Sequence, residues 1–322
     1  MKEPSPIAQS TPRVTTAERD RGSRLHLNPK EWIRSHPIAA FFVLAYIGSW
    51  VLWIPVVISK EGLGLAPFHL PAPAPLFLLV STITGPTLAA FLVQGVAGGR
   101  SGVTELRRRL LRIRVNPLWY LLVVLGPPAL ILLGGTTWLG GAPLAGLIQH
   151  WQLVLTAFLP ATALGLVVTV FEETGWMGVA TPRLQAAYSP LIAAAVVGPL
   201  WATWHLPSFF VASSGGAGAT GLDLPLIGLK LVVLSLVAIA IRVVATWIFN
   251  SAGAAVPLIM LGHSAWDQTP DLMSALRVTH FTGDGLQFTM YASIAVCAIV
   301  AAALTRGRLG YRQRPPGEPR TP

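Results

Sequence analysis

The sequence predicts an all-α fold: a polytopic membrane bundle of about eight transmembrane helices with both termini on the cytoplasmic side. Three observations lead to this prediction. The chain of 322 residues is 53% hydrophobic and only 11% charged, whereas a soluble domain carries about a quarter charged residues. Apolar runs recur at a length that suits a helix crossing the hydrocarbon core. Basic residues cluster at the ends of these runs, as the topology of membrane proteins requires.

Eight candidate spans of roughly 17–25 residues can be drawn along the chain. They cover residues 38–59, 74–97, 117–139, 156–180, 189–212, 225–249, 253–269 and 287–305. The chain therefore divides into a polar tail over residues 1–37, which we expect to be disordered, a single bundle over residues 38–305, and a basic tail over residues 306–322. The stretch 213–221, rich in Gly, Ser and Ala, predicts a mobile loop.

The basic residues determine the predicted orientation. With eight spans, all of the 23 Lys and Arg residues except Lys60, Lys230 and Arg277 fall on one side of the membrane, and the positive-inside rule makes that side cytoplasmic. Arg242 is counted there because it lies near the end of the sixth span and can snorkel. We expect anionic lipid at the basic cytoplasmic segments, with an interfacial helix at residues 105–115. Because topology explains the net charge of +10, no nucleic-acid partner is expected.

The acids and histidines inside the predicted spans are five: Glu172, Glu173, His205, His263 and Asp267. Such residues are functional candidates by default, because each costs a few kcal/mol at the bilayer centre. Each lies roughly 10–17 residues into its span, which places all of them at a similar, middle depth. His263 and Asp267 share one helix face, whereas the consecutive glutamates point about 100° apart. The pattern predicts one buried polar site.

These residue types suit hydrolysis and proton transport equally well. A carboxylate in an apolar pocket can act as a general base toward water, and a histidine or carboxyl group on another helix can donate to a developing oxyanion. His and carboxylate are also ordinary zinc ligands. The chain contains no HExxH or GxSxG motif, and its single cysteine, Cys297, excludes a CxxC site. Acids and histidines at mid-depth also form the proton relays of transporters, so both functions stay open.

The segments EETGWMGVATPRLQ, WATWHLPSFF and NSAGAAVPLIMLGHSAWD resemble the three motif regions of a known family. The family is that of the CAAX prenyl proteases and bacteriocin-processing intramembrane proteases, whose motifs are EExxxR, FxxxH and HxxxN in the same order. The resemblance covers about residues 117–305. It implies an intramembrane endopeptidase, multi-pass in the plasma membrane, that hydrolyses a peptide bond in a membrane-associated peptide or protein.

The resemblance also implies a role for each site residue. Glu172 would be the base that activates water, and His205 would hold that water. His263 and Asp267 would form the oxyanion site, and Glu173 would be a supporting acid. The residues do not decide between a glutamate-activated water without a cofactor and a bound zinc ion. If a metal is used, we expect its ligands to be Glu172, His205 and His263.

Three positions depart from the family motifs. Met177 replaces the arginine of EExxxR, four residues after Glu173, so Glu173 lacks a counter-charge within its own helix. We expect Glu173 either to be protonated or to pair with a histidine or hydroxyl on another helix. Asp267 replaces the asparagine of HxxxN, and an ionised Asp cannot donate to an oxyanion. Trp201 replaces the phenylalanine of FxxxH, which we interpret as a minor aromatic exchange.

These departures keep two further functions open. The first is a catalytically weak or inactive family member that acts as a bacteriocin self-immunity or scaffold protein. The second is a proton-coupled transporter, in which the same five acids and histidines would relay protons.

Overall fold

The structure is a computed structural model that describes residues 28–70, 74–211 and 223–312. Every regular element within these ranges is helical, which confirms the all-α prediction. The helices, in chain order, are α1 (Pro29–Ser35), α2 (Pro37–Ile58), α3 (Ala74–Thr82), α4 (Leu88–Leu110), α5 (Pro117–Leu139), α6 (Ala142–Gln149), α7 (Leu159–Gly175), α8 (Thr181–Gln185), α9 (Pro190–Trp204), α10 (Leu224–Ser251), α11 (Val256–Ala275) and α12 (Gly283–Leu304). The π-helical turns Ile83–Thr87, Val154–Phe158 and Trp176–Ala180 join or extend these helices, and a 3-10 turn, Leu206–Phe210, follows α9.

Six helical segments in the described ranges are long and apolar enough to cross a membrane. They are Pro37–Ile58, Leu76–Leu110, Pro117–Leu139, Val154–Gln185, Leu224–Ser251 and Gly283–Leu304. The chain is therefore a multi-pass membrane protein with a polytopic helical bundle, and these segments match six of the eight predicted spans.

The other two predicted spans, 189–212 and 253–269, correspond to α9 and α11. Helix α9 has 15 residues and so measures about 22 Å, short of the ~30 Å hydrocarbon core. Helix α11 has 20 residues, but His263 and Asp267 make it more polar than the six. A count of eight crossings remains a prediction, and both exceptions carry site residues.

Two helix pairs form the centre of the bundle. Helix α7 packs along α11, where the Ser264 hydroxyl donates to the Thr162 carbonyl at 2.7 Å. Helix α9 packs along α10, and Gly198 permits the close approach, since a Cβ there would lie 2.7 Å from the backbone nitrogen of Ile239. Small residues and hydroxyl hydrogen bonds are typical of contacts between transmembrane helices. The first pair brings the first and third motif segments together, and the hydrogen bond from Trp201 to Glu172 joins the second segment to them.

Both ends of the described chain lie at the same end of the bundle. Near the start, Arg34 donates its Nε–H to the Val96 carbonyl in α4 at 3.2 Å. Near the end of the described chain, the Leu309 carbonyl accepts a hydrogen bond from Nδ2–H of Asn250 in α10 at 3.0 Å. A cavity lined by both Arg100 and Asn250 joins these two regions. The arrangement agrees with an even number of crossings, and the cytoplasmic orientation of this end remains a prediction.

Parts of both predicted tails pack on the bundle, although residues 1–37 were expected to be disordered. The Asn28 side chain accepts a hydrogen bond from the Lys30 N–H at 3.1 Å and so caps α1, and Ile33 is buried. The last part of the 1–37 segment is therefore folded onto the bundle, and its first 27 residues lie outside the described ranges. After α12, Leu309 is fully buried. Residues 313–322 and the predicted mobile loop at 213–221 also lie outside the described ranges.

The basic segment after the second predicted span also packs on the bundle. Helix α4 breaks at Gly99, which has φ of +59°, a conformation that glycine adopts without a steric cost. The helix then runs on to Leu110, with Leu106 fully buried in contact range of Gly178. The helix predicted over residues 105–115 is therefore present only as far as Leu110, as the end of α4, and the contact of its arginine-rich face with lipid remains a prediction.

Candidate active site

The structure brings the five predicted site residues into one cluster inside the bundle. Glu172 and Glu173 lie in the last turn of α7 and are 3% and 1% exposed. His205 is the C-cap of α9, and His263 and Asp267 lie on α11. Because the motif segments come from neighbouring helices, side chains far apart in sequence share one polar region.

The helix ends that carry the cluster are held by cross-helix contacts. The Thr87 hydroxyl donates to the Phe171 carbonyl at 2.6 Å, which fixes α7 just before the two glutamates. The carbonyl of Trp204 accepts a hydrogen bond from the Trp50 indole at 2.9 Å, which fixes the end of α9 beside His205. The π-helical turn that begins at Trp176 follows the glutamates directly, and such turns occur frequently at functional sites.

Trp201 connects most of the cluster. Its indole Nε1–H donates to Glu172 Oε2 at 3.1 Å, and its carbonyl accepts from Nδ1 of His205 at 3.0 Å. Its ring lies edge-on to the rings of His205 and His263, with centroid distances of 4.8 and 5.5 Å. The interpretation of this position as a minor aromatic exchange is therefore wrong, because phenylalanine has no N–H with which to hold a carboxylate.

Glu173 has its counter-charge on another helix. Nη1 of Arg242, in α10, lies 2.8 Å from Glu173 Oε2, and Nδ1 of His263 lies 2.9 Å from Glu173 Oε1. Arginine remains charged in proteins, so Glu173 is ionised beside it. The alternative of a protonated Glu173 is therefore wrong, and the expected partnership with a histidine on another helix is confirmed.

Arg242 is a site residue that the sequence reasoning missed. Its side chain is 2% exposed, so the expectation that it snorkels to the membrane surface is wrong. Its guanidinium carbon lies 4.8 Å from the ring centroid of Trp201, within the range of a cation–π contact. A lone arginine about nine residues from the end of the 28-residue α10 was the available signal, because a side chain at that depth cannot easily reach the surface.

Met177 is fully buried in an apolar cluster that includes Val123, Ile248 and Phe249. The position of the family arginine is thus filled by a side chain that suits its apolar surroundings. The charge that an arginine at this position would bring to Glu173 comes instead from Arg242. The departure at residue 177 therefore leaves Glu173 neutralised.

His263 lies between two carboxylates. Its Nδ1–H is directed to Glu173, and its Nε2 lies 3.6 Å from Asp267 Oδ2, which is too long for a hydrogen bond. The Asp267 side chain is 48% exposed, so its carboxyl group is open to a ligand or to water. Nε2 of His263 is therefore the ring atom that can face a bound group.

The three residues predicted as metal ligands do not form a metal centre in this arrangement. No group of three His, Cys, Asp or Glu side chains in the described ranges is placed to hold a metal ion. Trp201 occupies one carboxylate oxygen of Glu172, and Glu173 occupies Nδ1 of His263. As they are placed, these side chains do not fit a zinc ion.

An apolar cavity of about 360 Å³ opens beside the cluster. Glu173, Arg242 and His263 line it with charged and imidazole groups. Its other walls are apolar side chains from α5, α10, α11 and α12, such as Leu130 and Ile294. Its volume lies within the range of cavities that hold small ligands. The cavity gives an apolar group access to one side of the cluster.

Comparison with known proteins agrees with the motif segments. Residues 144–269 match the family described as type II CAAX prenyl endopeptidase Rce1-like. The chain is 31% identical over 141 residues to a protein named CAAX prenyl protease 2 from Methanococcus maripaludis, which covers 39% of this chain and 49% of that protein. The chain thus spans about half the length of this curated relative, and the family match contains the whole cluster. The core of the chain over residues 144–269 is therefore similar to the CAAX prenyl endopeptidases, in agreement with the family that its motif segments resemble.

Proposed function

We propose that the chain is an intramembrane endopeptidase that hydrolyses a peptide bond in a membrane-associated peptide or protein. The observation that carries the proposal is the convergence of buried Glu172 and histidines from two other helices on Trp201. The name of the relative makes a prenylated peptide the first substrate to test. The apolar cavity beside the cluster suits a substrate with an apolar or lipid-modified segment.

Glu172 is the proposed general base. Its Oε2 is held by Trp201, and its Oε1 has no hydrogen-bond partner among the described residues, so Oε1 can take a proton from water. Nδ1 of His205 donates to a carbonyl, which leaves Nε2 of the neutral ring as an acceptor. Glu172 and His205 therefore hold one water from two sides, and its oxygen forms the new bond to the carbonyl carbon of the substrate.

His263 is the proposed donor to the oxyanion. Because its Nδ1–H is directed to Glu173, a second proton on Nε2 faces away from Glu173 and can donate to the developing negative charge. Asp267, adjacent to Nε2, adds a donor only when it is protonated. Collapse of the tetrahedral intermediate breaks the C–N bond, and Glu172 returns its proton to the leaving nitrogen. Glu173 and Arg242 position His263 and exchange no proton with the substrate.

A catalytically inactive family member is the second candidate function. Asp267 at the asparagine position favours it, because an ionised Asp cannot donate to the oxyanion. The other ground for inactivity was an uncompensated Glu173, and its contact with Arg242 removes that ground. A bacteriocin self-immunity or scaffold role would need no cleavage at all.

The test is a cleavage assay on the purified full chain in lipid nanodiscs. A prenylated peptide, an acylated peptide and an unmodified transmembrane peptide are incubated with it, and products are identified by mass spectrometry. We expect cleavage of at least one peptide by the wild type, and loss of that cleavage in Glu172→Ala, His205→Ala and His263→Ala. His69→Ala, on an exposed loop, is the matched control and should cleave normally.

Two further outcomes separate the alternatives. A wild-type protein that leaves every peptide intact, while the alanine variants preserve a biological phenotype, would reject the peptidase and favour the scaffold role. Proton-driven uptake into vesicles that Glu172→Ala abolishes would favour a transporter. A chelator series belongs in the same assay, and we expect cleavage to be unchanged by it; loss with recovery on added zinc would contradict the metal-free route.

We also propose that the basic end of the bundle faces the cytoplasm and that the membrane is the plasma membrane. Lys60 and Arg308 are both exposed, and the predicted topology places them on opposite sides of the membrane. In intact cells, a membrane-impermeant thiol reagent should label Lys60→Cys, and it should label Arg308→Cys only after permeabilisation. The reverse pattern would overturn the orientation.

A further inference from the structure

A second cavity, of about 990 Å³, lies at the end of the bundle where α4, α8, α10 and the chain after α12 meet. It shares no lining residue with the apolar cavity beside the proposed active site. Most of the charged residues in its wall are arginines, and a single acid accompanies them. The ionisable lining residues are Arg100, Glu105, Arg108, Arg109, Arg112, Tyr311 and Arg312.

The charges around this basic cavity are not balanced by the part of the chain that the structure describes. Glu105 pairs with Arg108 and with Arg109 at 3.1 Å. Arg100, Arg112 and Arg312 make no ion pair with a described residue. Five guanidinium groups around one carboxylate repel each other unless an anion lies between them. The cavity therefore has the charge of an anion site.

One of the arginines is hydrogen-bonded to the backbone, and another lies against it. Arg109 donates its Nη1–H to the Gly178 carbonyl at 3.0 Å, in the π-helical turn after the site glutamates. The guanidinium of Arg112 lies against Gly253, where a Cβ would come 2.9 Å from Nη2. Gly253 has φ of +71°, so a larger residue would be strained there and would also displace the guanidinium. The geometry of the wall is thus set by the fold.

Guanidinium groups present paired N–H donors that match the oxygens of a phosphate group. The cavity volume exceeds what a lone phosphate ion needs and is large enough for a phosphorylated headgroup. Phe249 and Tyr311 add aromatic surface to the wall, against which the carbon atoms of such a headgroup can pack. The features together select for a phosphate ester rather than for a simple inorganic cation or a neutral molecule.

We propose that this basic cavity binds a phosphate-bearing anion, supplied either as the headgroup of an anionic phospholipid or as a free phosphate ester. The site is independent of the proposed peptidase chemistry, because none of its residues touches the active-site cluster. It differs from a general attraction of basic segments to the membrane surface, because defined side chains from α4 and from the chain after α12 enclose one ligand.

The test is a thermal-shift titration of the full chain, delipidated in a neutral detergent, at constant ionic strength. The probes are inorganic phosphate, short-chain phosphatidylglycerol and short-chain phosphatidylcholine. Because a ligand that binds only the folded state raises the midpoint, we expect a saturable rise with phosphatidylglycerol or with phosphate, and none with phosphatidylcholine. A response to phosphatidylglycerol alone identifies a lipid, and an equal response to phosphate identifies a soluble ester.

Arg312→Gln and Arg112→Gln are the informative variants. Arg312 makes no described contact on which folding depends, so its loss should weaken the titration about tenfold or more in midpoint concentration, consistent with loss of one charge-assisted hydrogen bond. Arg308→Gln is the matched control: it makes the same charge change at the same end of the bundle, outside the cavity lining. Equal weakening in Arg308→Gln and Arg312→Gln, or no saturable response to either anion, would overturn the proposal.

Discussion

Replacing Arg242 with methionine should strongly destabilise the protein. The guanidinium lies 2.8 Å from the Glu173 carboxylate, and both side chains are at most 2% exposed. Removal of one partner of such a pair leaves an uncompensated buried charge and costs about 3–5 kcal/mol. At about 2 °C per kcal/mol for a chain of this size, the thermal midpoint should fall by about 6–10 °C.

The assay for this prediction is thermal unfolding of purified variants, followed by tryptophan fluorescence. All variants are scanned at one rate, because unfolding of such proteins is often irreversible and the midpoint then depends on the rate. Arg308→Gln, an exposed arginine, is the control and should shift the midpoint by about 1 °C or less. This comparison separates loss of the buried pair from loss of one positive charge.

A double variant tests the pairing itself. Arg242→Met combined with Glu173→Gln removes both charges and leaves none unpaired, so it should be more stable than Arg242→Met alone. The reasoning is refuted if Arg242→Met unfolds within about 1 °C of the wild type, or if the two substitutions simply add. Either result would show that Glu173 has no dependence on Arg242.

Three further predictions concern single contacts. Met177→Arg restores the family arginine. Added to Arg242→Met, it should recover part of the lost thermal midpoint, whereas in the wild-type background it adds a second cation and should lower the midpoint. No recovery would show that residue 177 cannot reach Glu173. Trp201→Phe keeps the ring but removes the N–H that holds the proposed base, so kcat should fall about tenfold or more; an unchanged kcat would contradict that role. The hydrogen bond from the Leu70 N–H, and after it the contact with His69, lowers the pKa of the Glu61 carboxyl to about 2. Because the pKa is lowered, the hydrogen bond to Leu70 stabilises the loop at pH values above the ordinary pKa of 4.5, and this stabilisation is lost as the pH falls toward 2. Hydrogen exchange at Leu70 should therefore increase over that acidic range, whereas in Glu61→Gln it should show no such increase beyond the intrinsic pH dependence of exchange.

The helical class and the residues of the cluster could be predicted because both depend on local properties. The length of each apolar run is set by the thickness of the bilayer, and ionisable groups such as Glu172 and His263 are conspicuous in an apolar run. Spacing also assigns residues to one face of the same helix, as for His263 and Asp267.

The partners of these residues could not be predicted, because spacing within a helix does not say which helix faces which. Arg242 belongs to a span between the second and third motifs, and only the packing of α10 against α9 brings it to Trp201 and Glu173. The N–H of Trp201 is visible in the sequence, but its acceptor lies on α7. The Glu173–Arg242 pair is thus a property of the three-dimensional arrangement.

Two local sequence features indicate helix boundaries that the predictions, which followed the composition of longer segments, did not include. Asn28 followed by Pro29 is a typical helix start, yet the polar character of residues 1–37 favoured disorder. Pro207 disfavours the α-helical conformation at the residue before it, and α9 ends at Trp204, yet the apolar run continues to residue 212. In both cases the average over a long window hid a boundary set by one or two residues.

The central claim is that Glu172 activates the water that cleaves the substrate. Its most direct test is a single-turnover cleavage measurement with excess enzyme in nanodiscs, comparing the wild type with Glu172→Gln and with the surface control Glu61→Gln. General-base catalysis contributes roughly 100- to 10,000-fold, so the rate of Glu172→Gln should fall by at least about 100-fold at an unchanged thermal midpoint, while Glu61→Gln keeps the wild-type rate. A Glu172→Gln variant that cleaves within about threefold of the wild-type rate would contradict the claim, since that loss is far below what a general base supplies.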